Sequence, residues 1–200
     1  MLMIEELKKL GITLKHIDIG GGLGVCYKDE TPPSVEEYAN ALKPALQKLG
    51  LKVYMEPGRS ISANAGVLLT KVDLLKPTNH RNFAIIDAAM NDLIRPSLYE
   101  AWMDIQSVDA NTDVEEKVWD VVGAICETGD FLGKDRKLAL KEDDVLAVLG
   151  AGAYGFVMSS NYNSRGRAAE VMVNADQAHL IRERETIESL WDKERLLPEE

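Results

Sequence analysis

The spacing of apolar residues changes partway along this chain, and the change separates two kinds of structure. Residues 3–10 read as a short amphipathic helix that stops at Gly11, a residue suited to the left-handed turn that ends helices. Residues 15–19 form a short strand running into three glycines. Residues 34–49 return to helical spacing, with Tyr38, Leu42, Leu46 and Leu49 on one face. Ser34 and Glu37 have capping-box spacing just after Pro33, and Gly50 closes the segment. Pro44 lies inside it and is expected to kink or weaken that turn. Residues 51–55 make a second strand that ends at Glu56. This alternation of helix and strand is the rhythm of a parallel α/β structure.

Beyond about residue 65 short strand-like runs dominate, at residues 66–75, 83–87, 118–125, 145–149, 169–173 and 179–182. Polar turns such as Pro77-Thr78-Asn79-His80 and Lys141-Glu142-Asp143-Asp144 separate some of them. The pattern predicts an antiparallel sheet or barrel. A short helix is expected at Pro96, and a final helix over residues 185–196 packing Ile187, Leu190 and Trp191. The expected fold class is therefore α/β followed by all-β, with domains at residues 1–64 and 65–200. Two strand–helix units do not close a (β/α)8 barrel, because unpaired edges and uncovered apolar faces remain. The first part is thus expected to belong to a larger barrel.

Composition narrows the function classes. With 200 residues the chain can bury a real core. Its net charge of -10 argues against a nucleic-acid partner, since an acidic surface repels phosphate backbones. No apolar run is long enough to span a bilayer, and the first helix lacks the basic start and cleavage site of a signal peptide. Cys26 and Cys126 fit no metal-ligand spacing, so reduced thiols, no metal and a cytoplasmic location are expected.

Four motifs and one residue pair carry candidate chemistry. Gly20-Gly21-Gly22 follows a strand, so its backbone N–H groups can face a phosphate, or it is a tight turn before a helix. Its spacing is not the dinucleotide fingerprint. Glu56-Pro57-Gly58-Arg59 turns sharply and sends both charged side chains to one mouth. Glu56 suits a protonated ring nitrogen and Arg59 a carboxylate or phosphate; the alternative is a surface ion pair. Arg95 and Tyr99 fall on one face if Pro96 starts a helical turn. Together they suit a carboxylate, or else Arg95 braces a loop and Tyr99 packs. In Cys126-Glu127-Thr128-Gly129-Asp130 the thiol is either a proton donor or a small core residue. In Gly152-Ala153-Tyr154-Gly155 the phenol can reach a phosphate or cofactor, or it lies buried in a β-turn.

In this order and spacing the four motifs resemble the second half of the fold-type III pyridoxal-phosphate decarboxylases, most closely the diaminopimelate decarboxylases. The resemblance runs from about residue 5 to Pro198. It implies the C-terminal fragment of a PLP-binding, alanine-racemase-like (β/α)8 barrel, followed by an antiparallel β-barrel or sandwich domain. It implies pyridoxal 5'-phosphate as cofactor, held by Gly20, Gly21, Gly22, Gly58, Arg59 and Tyr154, with Glu56 at the pyridine nitrogen. It implies substrate contacts from Arg59, Arg95, Tyr99, Glu127 and Tyr154, the distal carboxylate meeting Arg95 and Tyr99. Cys126 would donate a proton in the active site of a neighbouring subunit, within a homodimer that shares its sites. Thr128 stands where the family often has Ser. Glu127 stands where ornithine-type enzymes have Asp, which favours meso-2,6-diaminopimelate, converted to L-lysine and CO2. The cofactor lysine of the family precedes the glycine run, with about six further barrel strands, so this chain alone is expected to be inactive. The alternatives are a carboxynorspermidine or other basic amino acid decarboxylase, and a non-catalytic regulatory or binding homologue.

Overall fold

The computed structural model describes residues 2–109 and 113–198, and the chain divides into two units, Met1–Ala63 and Asn64–Glu200. In the first unit, α1 (Leu2–Lys9) ends where Gly11 takes φ +78°. There the Gly11 and Ile12 N–H groups donate back to the Lys8 and Leu7 carbonyls. Strands β1 (His16–Asp18) and β2 (Lys52–Tyr54) pair in parallel, with Ile17 opposite Val53. The parallel pairing requires a crossover, which α2 (Val35–Leu49) supplies.

Helix α2 starts at the expected capping box. The Glu37 N–H donates to the Ser34 hydroxyl at 3.1 Å, and the Ser34 N–H donates to the Glu37 carboxylate at 2.8 Å. Gly50 closes it at φ 62°. The helix continues through Pro44, contrary to the expected weakening. Pro44 and Asn40 are both exposed, so water satisfies the carbonyl that the missing N–H leaves free. Tyr38, Leu42, Leu46 and Leu49 form a half-buried stripe, and no α2 residue is fully buried. A short helix, α3 (Gly58–Ser62), follows β2.

The second unit is built on a six-stranded sheet of β3 (Leu68–Pro77), β4 (Asn82–Ile86), β5 (Ile105–Ser107), β6 (Lys117–Val122), β7 (Phe131–Leu138) and β8 (Val145–Val148). Their order is β5-β8-β3-β4-β6-β7. Four of the five pairings are antiparallel, as expected, but β4 and β6 run parallel. The sheet is therefore mixed. The cause is the connection from residue 87 to residue 116, which is long enough to return to the starting end of the sheet and carries α4 (Arg95–Tyr99) and β5. Val72, Ala84, Ile86, Val121, Leu132, Leu146 and Val148 fill the interior at alternating positions. Ile105 of one edge strand lies over Gly133 of the other, where a Cβ would intrude, so the sheet curls nearly closed.

Two strands escaped the sequence pattern. β7 carries Lys134, Asp135, Arg136 and Lys137, and β5 is only three residues long. Charge hides β7 because Gly133 and Arg136 take inward positions that apolar residues would ordinarily mark. Residues 123–125, expected to extend β6, instead turn away. The expected terminal helix over residues 185–196 is reduced to a single 3-10 turn, Glu188–Leu190. Its apolar side chains find no core: Ile187 is 55% and Trp191 50% exposed. Its start is also held otherwise, since Glu185 pairs with the Arg167 backbone through both its N–H and its carboxylate. A separate hairpin, β9 (Glu170–Asn174) and β10 (Gln177–Arg182), follows the sheet. No described helix is long and apolar enough to cross a membrane.

The capping box makes a prediction. Ser34→Ala should lower stability by about 1 kcal/mol and Ser34→Gly by only a few tenths, read from urea unfolding. The Ser34 backbone N–H, then its hydroxyl, hold the Glu37 carboxyl below its ordinary pKa. That contribution is therefore complete above the ordinary glutamate range and disappears as pH falls through the lowered value. The difference between wild type and Ser34→Ala should shrink over the same window.

Candidate functional site

The parallel register of β1 and β2 brings two of the motifs together in the first unit. Pairing extends past the strands, with the Ile19 N–H donating to the Tyr54 carbonyl and the Glu56 N–H to the Gly20 carbonyl at 2.8 Å. The glycine run therefore lies beside Glu56-Pro57-Gly58-Arg59. Gly21 passes so close to the Glu56 carbonyl that a Cβ there would collide with it. Gly20 and Gly22 adopt φ +68° and +88°, and no atom lies within 4 Å of where their Cβ atoms would stand. That open space, which side chains would fill, is a cradle suited to a phosphate group. The Asp18 carboxylate accepts from the Gly20 N–H at 2.7 Å, and the Tyr38 hydroxyl donates to the Gly21 carbonyl at 2.9 Å. Glu56 and Arg59 are exposed, and Gly58 opens α3 with free space at its Cβ position.

The second cluster depends on the parallel β4–β6 pair. Parallel neighbours end on the same side, so the loops that follow them emerge together. One is residues 87–92, leading to α4; the other is residues 123–130, the β6–β7 connection that holds Cys126 and Glu127. Asp130, 4% exposed, joins them: its carboxylate accepts from the Met90 N–H and the Ile125 N–H, each at 2.7 Å. Gly123 lies against Ala89 and the Asp130 carboxylate, with no room for a Cβ. The Ser97 hydroxyl of α4 donates to the Gly129 carbonyl, a second tie between the loops.

Arg95 is buried at the start of α4. Its guanidinium carbon lies 5.8 Å from the centre of the Tyr99 ring and 6.0 Å from that of Tyr154. The fold thus gathers Arg95, Tyr99 and Tyr154 around one cation, with the two rings partly exposed. Cys126 and Glu127 are exposed on the adjoining loop, and both cysteines are free. The Glu127 carboxylate accepts from the Gly129 N–H at 3.1 Å and from the Tyr162 hydroxyl at 3.4 Å.

Supporting residues missed in the sequence complete the second cluster. Asn91, 1% exposed, accepts at its side-chain oxygen from Arg165 Nε at 2.9 Å, and its backbone carbonyl accepts from the Ser160 N–H at 2.9 Å. Arg165 also donates to the Asp87 carbonyl. Burial raises the pKa of Asp92, against the Ala89 N–H and the charge of Arg165, which lower it. Asp87 accepts from the Thr70 hydroxyl at 2.6 Å and the Lys71 N–H at 2.8 Å. These are polar loop residues with partners 16 to 78 positions away, so no local pattern marked them.

Residues 17–152 match the family model described as the pyridoxal-dependent decarboxylase C-terminal sheet domain. A diaminopimelate decarboxylase of Pseudomonas aeruginosa is 58% identical over 98% of this chain, which spans 47% of that relative. One from Vibrio cholerae is 57% identical over all of this chain, spanning 48% of that relative. A crystal structure of diaminopimelate decarboxylase from Helicobacter pylori complexed with L-lysine is 42% identical. It superposes at a TM-score of 0.87, covering 94% of this chain and 46% of that one. The chain spans about half the length of the curated relatives it matches.

The Asp130 bridge can be tested directly. Asp130→Ala strands two backbone donors and should cost about 1–3 kcal/mol, with faster hydrogen exchange at the Met90 and Ile125 amides. Asp130→Asn keeps one acceptor oxygen and should lose less. Unchanged exchange at both amides would show that the bridge does not hold the loops.

Proposed function

The chain belongs to the pyridoxal-dependent decarboxylases, and on that premise we propose that it forms part of a diaminopimelate decarboxylase releasing L-lysine and CO2. The observation that carries this reading is the buried Arg95 between Tyr99 and Tyr154, beside the loop of Cys126 and Glu127. A cation held there suits a substrate with a carboxylate at its far end, as meso-2,6-diaminopimelate has. In this reading the first unit is the C-terminal part of a (β/α)8 barrel, and the second unit is the C-terminal β-domain.

The open cradle at Gly20 and Gly22 fits the phosphate of pyridoxal 5'-phosphate. Gly20, Gly21, Gly22, Gly58, Arg59 and Tyr154 would hold the cofactor, and Glu56 would keep its ring nitrogen protonated. When bound, the cofactor supplies an electron-withdrawing ring that stabilises the negative charge left as CO2 departs. The chain's own residues do the rest. Arg95 and Tyr99 hold the distal carboxylate, Glu127 faces the distal amine, and Arg59 and Tyr154 contact the reacting end. The bond from the α-carbon to its carboxylate breaks, its electron pair stays with the carbon, and the Cys126 thiol delivers the proton that replaces CO2. Cys126 and Glu127 act in the site of a second subunit, so the working enzyme is a homodimer that exchanges the same patch across a two-fold axis.

In the complete enzyme, Cys126→Ala should lower kcat by about 10²-fold with little change in KM, since a proton donor acts in the transition state. Mixed with a subunit lacking the cofactor lysine, it should regain up to about a quarter of wild-type activity in hybrid dimers. Subunit exchange without recovery would exclude the shared site.

Arg95→Ala should weaken diaminopimelate binding by roughly 2–4 kcal/mol, because a distal carboxylate loses its charge-assisted partner. L-lysine keeps the distal carboxylate, because the one at the reacting end leaves as CO2, and should weaken comparably as a product inhibitor, whereas 1,5-diaminopentane, which has no carboxylate, should lose much less. Equal losses for diaminopimelate and 1,5-diaminopentane would show that Arg95 does not read the distal carboxylate.

A further inference from the structure

A cleft of about 280 Å³ opens between α4 and the edge strand β7 and includes none of the residues assigned above. Arg136 forms one wall and is only 5% exposed. Its guanidinium is packed closely by two neighbours. It lies against Gly133, where a Cβ would meet Nε and Cζ. Its Cζ also stands 3.2 Å from the centre of the Trp102 ring. A planar guanidinium carries its N–H donors at its rim. There Nε and Nη1 find no hydrogen-bond acceptor among the described residues. Leaving charged donors buried and unpaired is costly, and burial pushes the Arg136 pKa down to about 10 despite the opposing charge of Asp104. The cleft that Arg136 lines also holds Phe131, with the Lys134 ammonium 3.8 Å from its ring centre. Pro96 adds apolar surface, and Glu100 is the one carboxylate among the lining residues.

We propose that this cleft is a binding site for a small organic monocarboxylate with a flat apolar body. The carboxylate meets the Arg136 guanidinium where it borders the cleft and the charge of Lys134, and the body lies against Trp102 and Phe131. The volume falls just below the range of sites for drug-sized molecules, which sets the ligand at about the size of one aromatic ring. Among the lining residues two cations face one carboxylate, Glu100, with the Asp104 charge acting on Arg136 from beyond the lining, and the aromatic walls favour an organic acid over inorganic phosphate. Pro96 and Glu100 share α4 with Arg95 and Tyr99, so an occupant also touches the helix that carries the proposed substrate contacts.

Benzoate is the probe and benzamide its neutral counterpart, titrated into the 200-residue chain by calorimetry and followed at the Arg136 Nε–H resonance. Benzoate should bind at one saturable site and shift that resonance. Benzamide and the Arg136→Leu variant should each bind at least about tenfold more weakly, the effect of losing one charge-assisted bond. Lys134→Ala, a change at an exposed residue, should weaken benzoate by about two- to fivefold and reduce its salt dependence. If Arg136→Leu does not fold by circular dichroism, the benzamide comparison and Lys134→Ala decide the matter. Equal binding of benzoate and benzamide overturns the proposal. So does a benzoate affinity untouched by Lys134→Ala, or no saturation up to about 50 mM.

Discussion

The parallel pairing of β4 with β6, secured at its end by the Asp130 carboxylate, is the constraint on which the second unit's candidate chemistry depends. An antiparallel pair would send the two following loops to opposite ends of the sheet. The parallel pair sends both to one end, and Asp130 then satisfies one backbone donor from each. Met90 and Ile125 are thereby held at fixed separation, and with them the segments that carry Arg95 and Cys126. A carboxylate buried for this purpose is stable only because both bonds are made; with either missing, its desolvation would be uncompensated. The Ser97–Gly129 hydrogen bond adds a second tie, from α4.

Close approach is the second recurring device. Gly21 under the Glu56 carbonyl, Gly123 against Ala89, and Gly133 beneath Ile105 and Arg136 each occupy a place that a methyl group would block. Each lets one backbone approach another segment more nearly than side chains allow. At Gly21 the approach brings two motifs side by side. At Gly123 it seats the β6–β7 loop, and at Gly133 it lets the sheet curl. The buried polar groups follow the same economy: Asn91, Asp130 and Asp87 each bridge segments far apart in sequence, and at Asp92 burial outweighs the N–H and guanidinium groups around it.

Much was legible along the chain because its causes are local. The capping box of Ser34 and Glu37, the left-handed closures at Gly11 and Gly50, and the short helix opened by Pro96 depend on residues within a few positions of each other. So do most of the strands, whose alternation reports one buried and one exposed face. The motifs that mark the family were equally visible, and the match over residues 17–152 agrees with them. Where local reasoning failed, a distant partner or its absence was responsible. β7 hid behind charges because Arg136 and Gly133 face inward, and the terminal helix is cut to one turn, with Ile187 and Trp191 left half exposed.

The sequence by itself determined the identity of the chemical groups, their grouping into motifs, the family and the rhythm of helices and strands, since each is set by residue type and short-range spacing. Tertiary structure alone decided that one strand pair is parallel and that Tyr154 meets Arg95 across more than fifty residues. It alone decided that Asp130 is a brace and not a surface charge, and that Arg136 lines a cleft with unpaired donors. The physical reason is common to all of these. Hydrogen-bond partners, ring contacts and buried charges are chosen by which surfaces the fold brings within a few ångströms, and that choice is made by the whole packed chain rather than by any stretch of it.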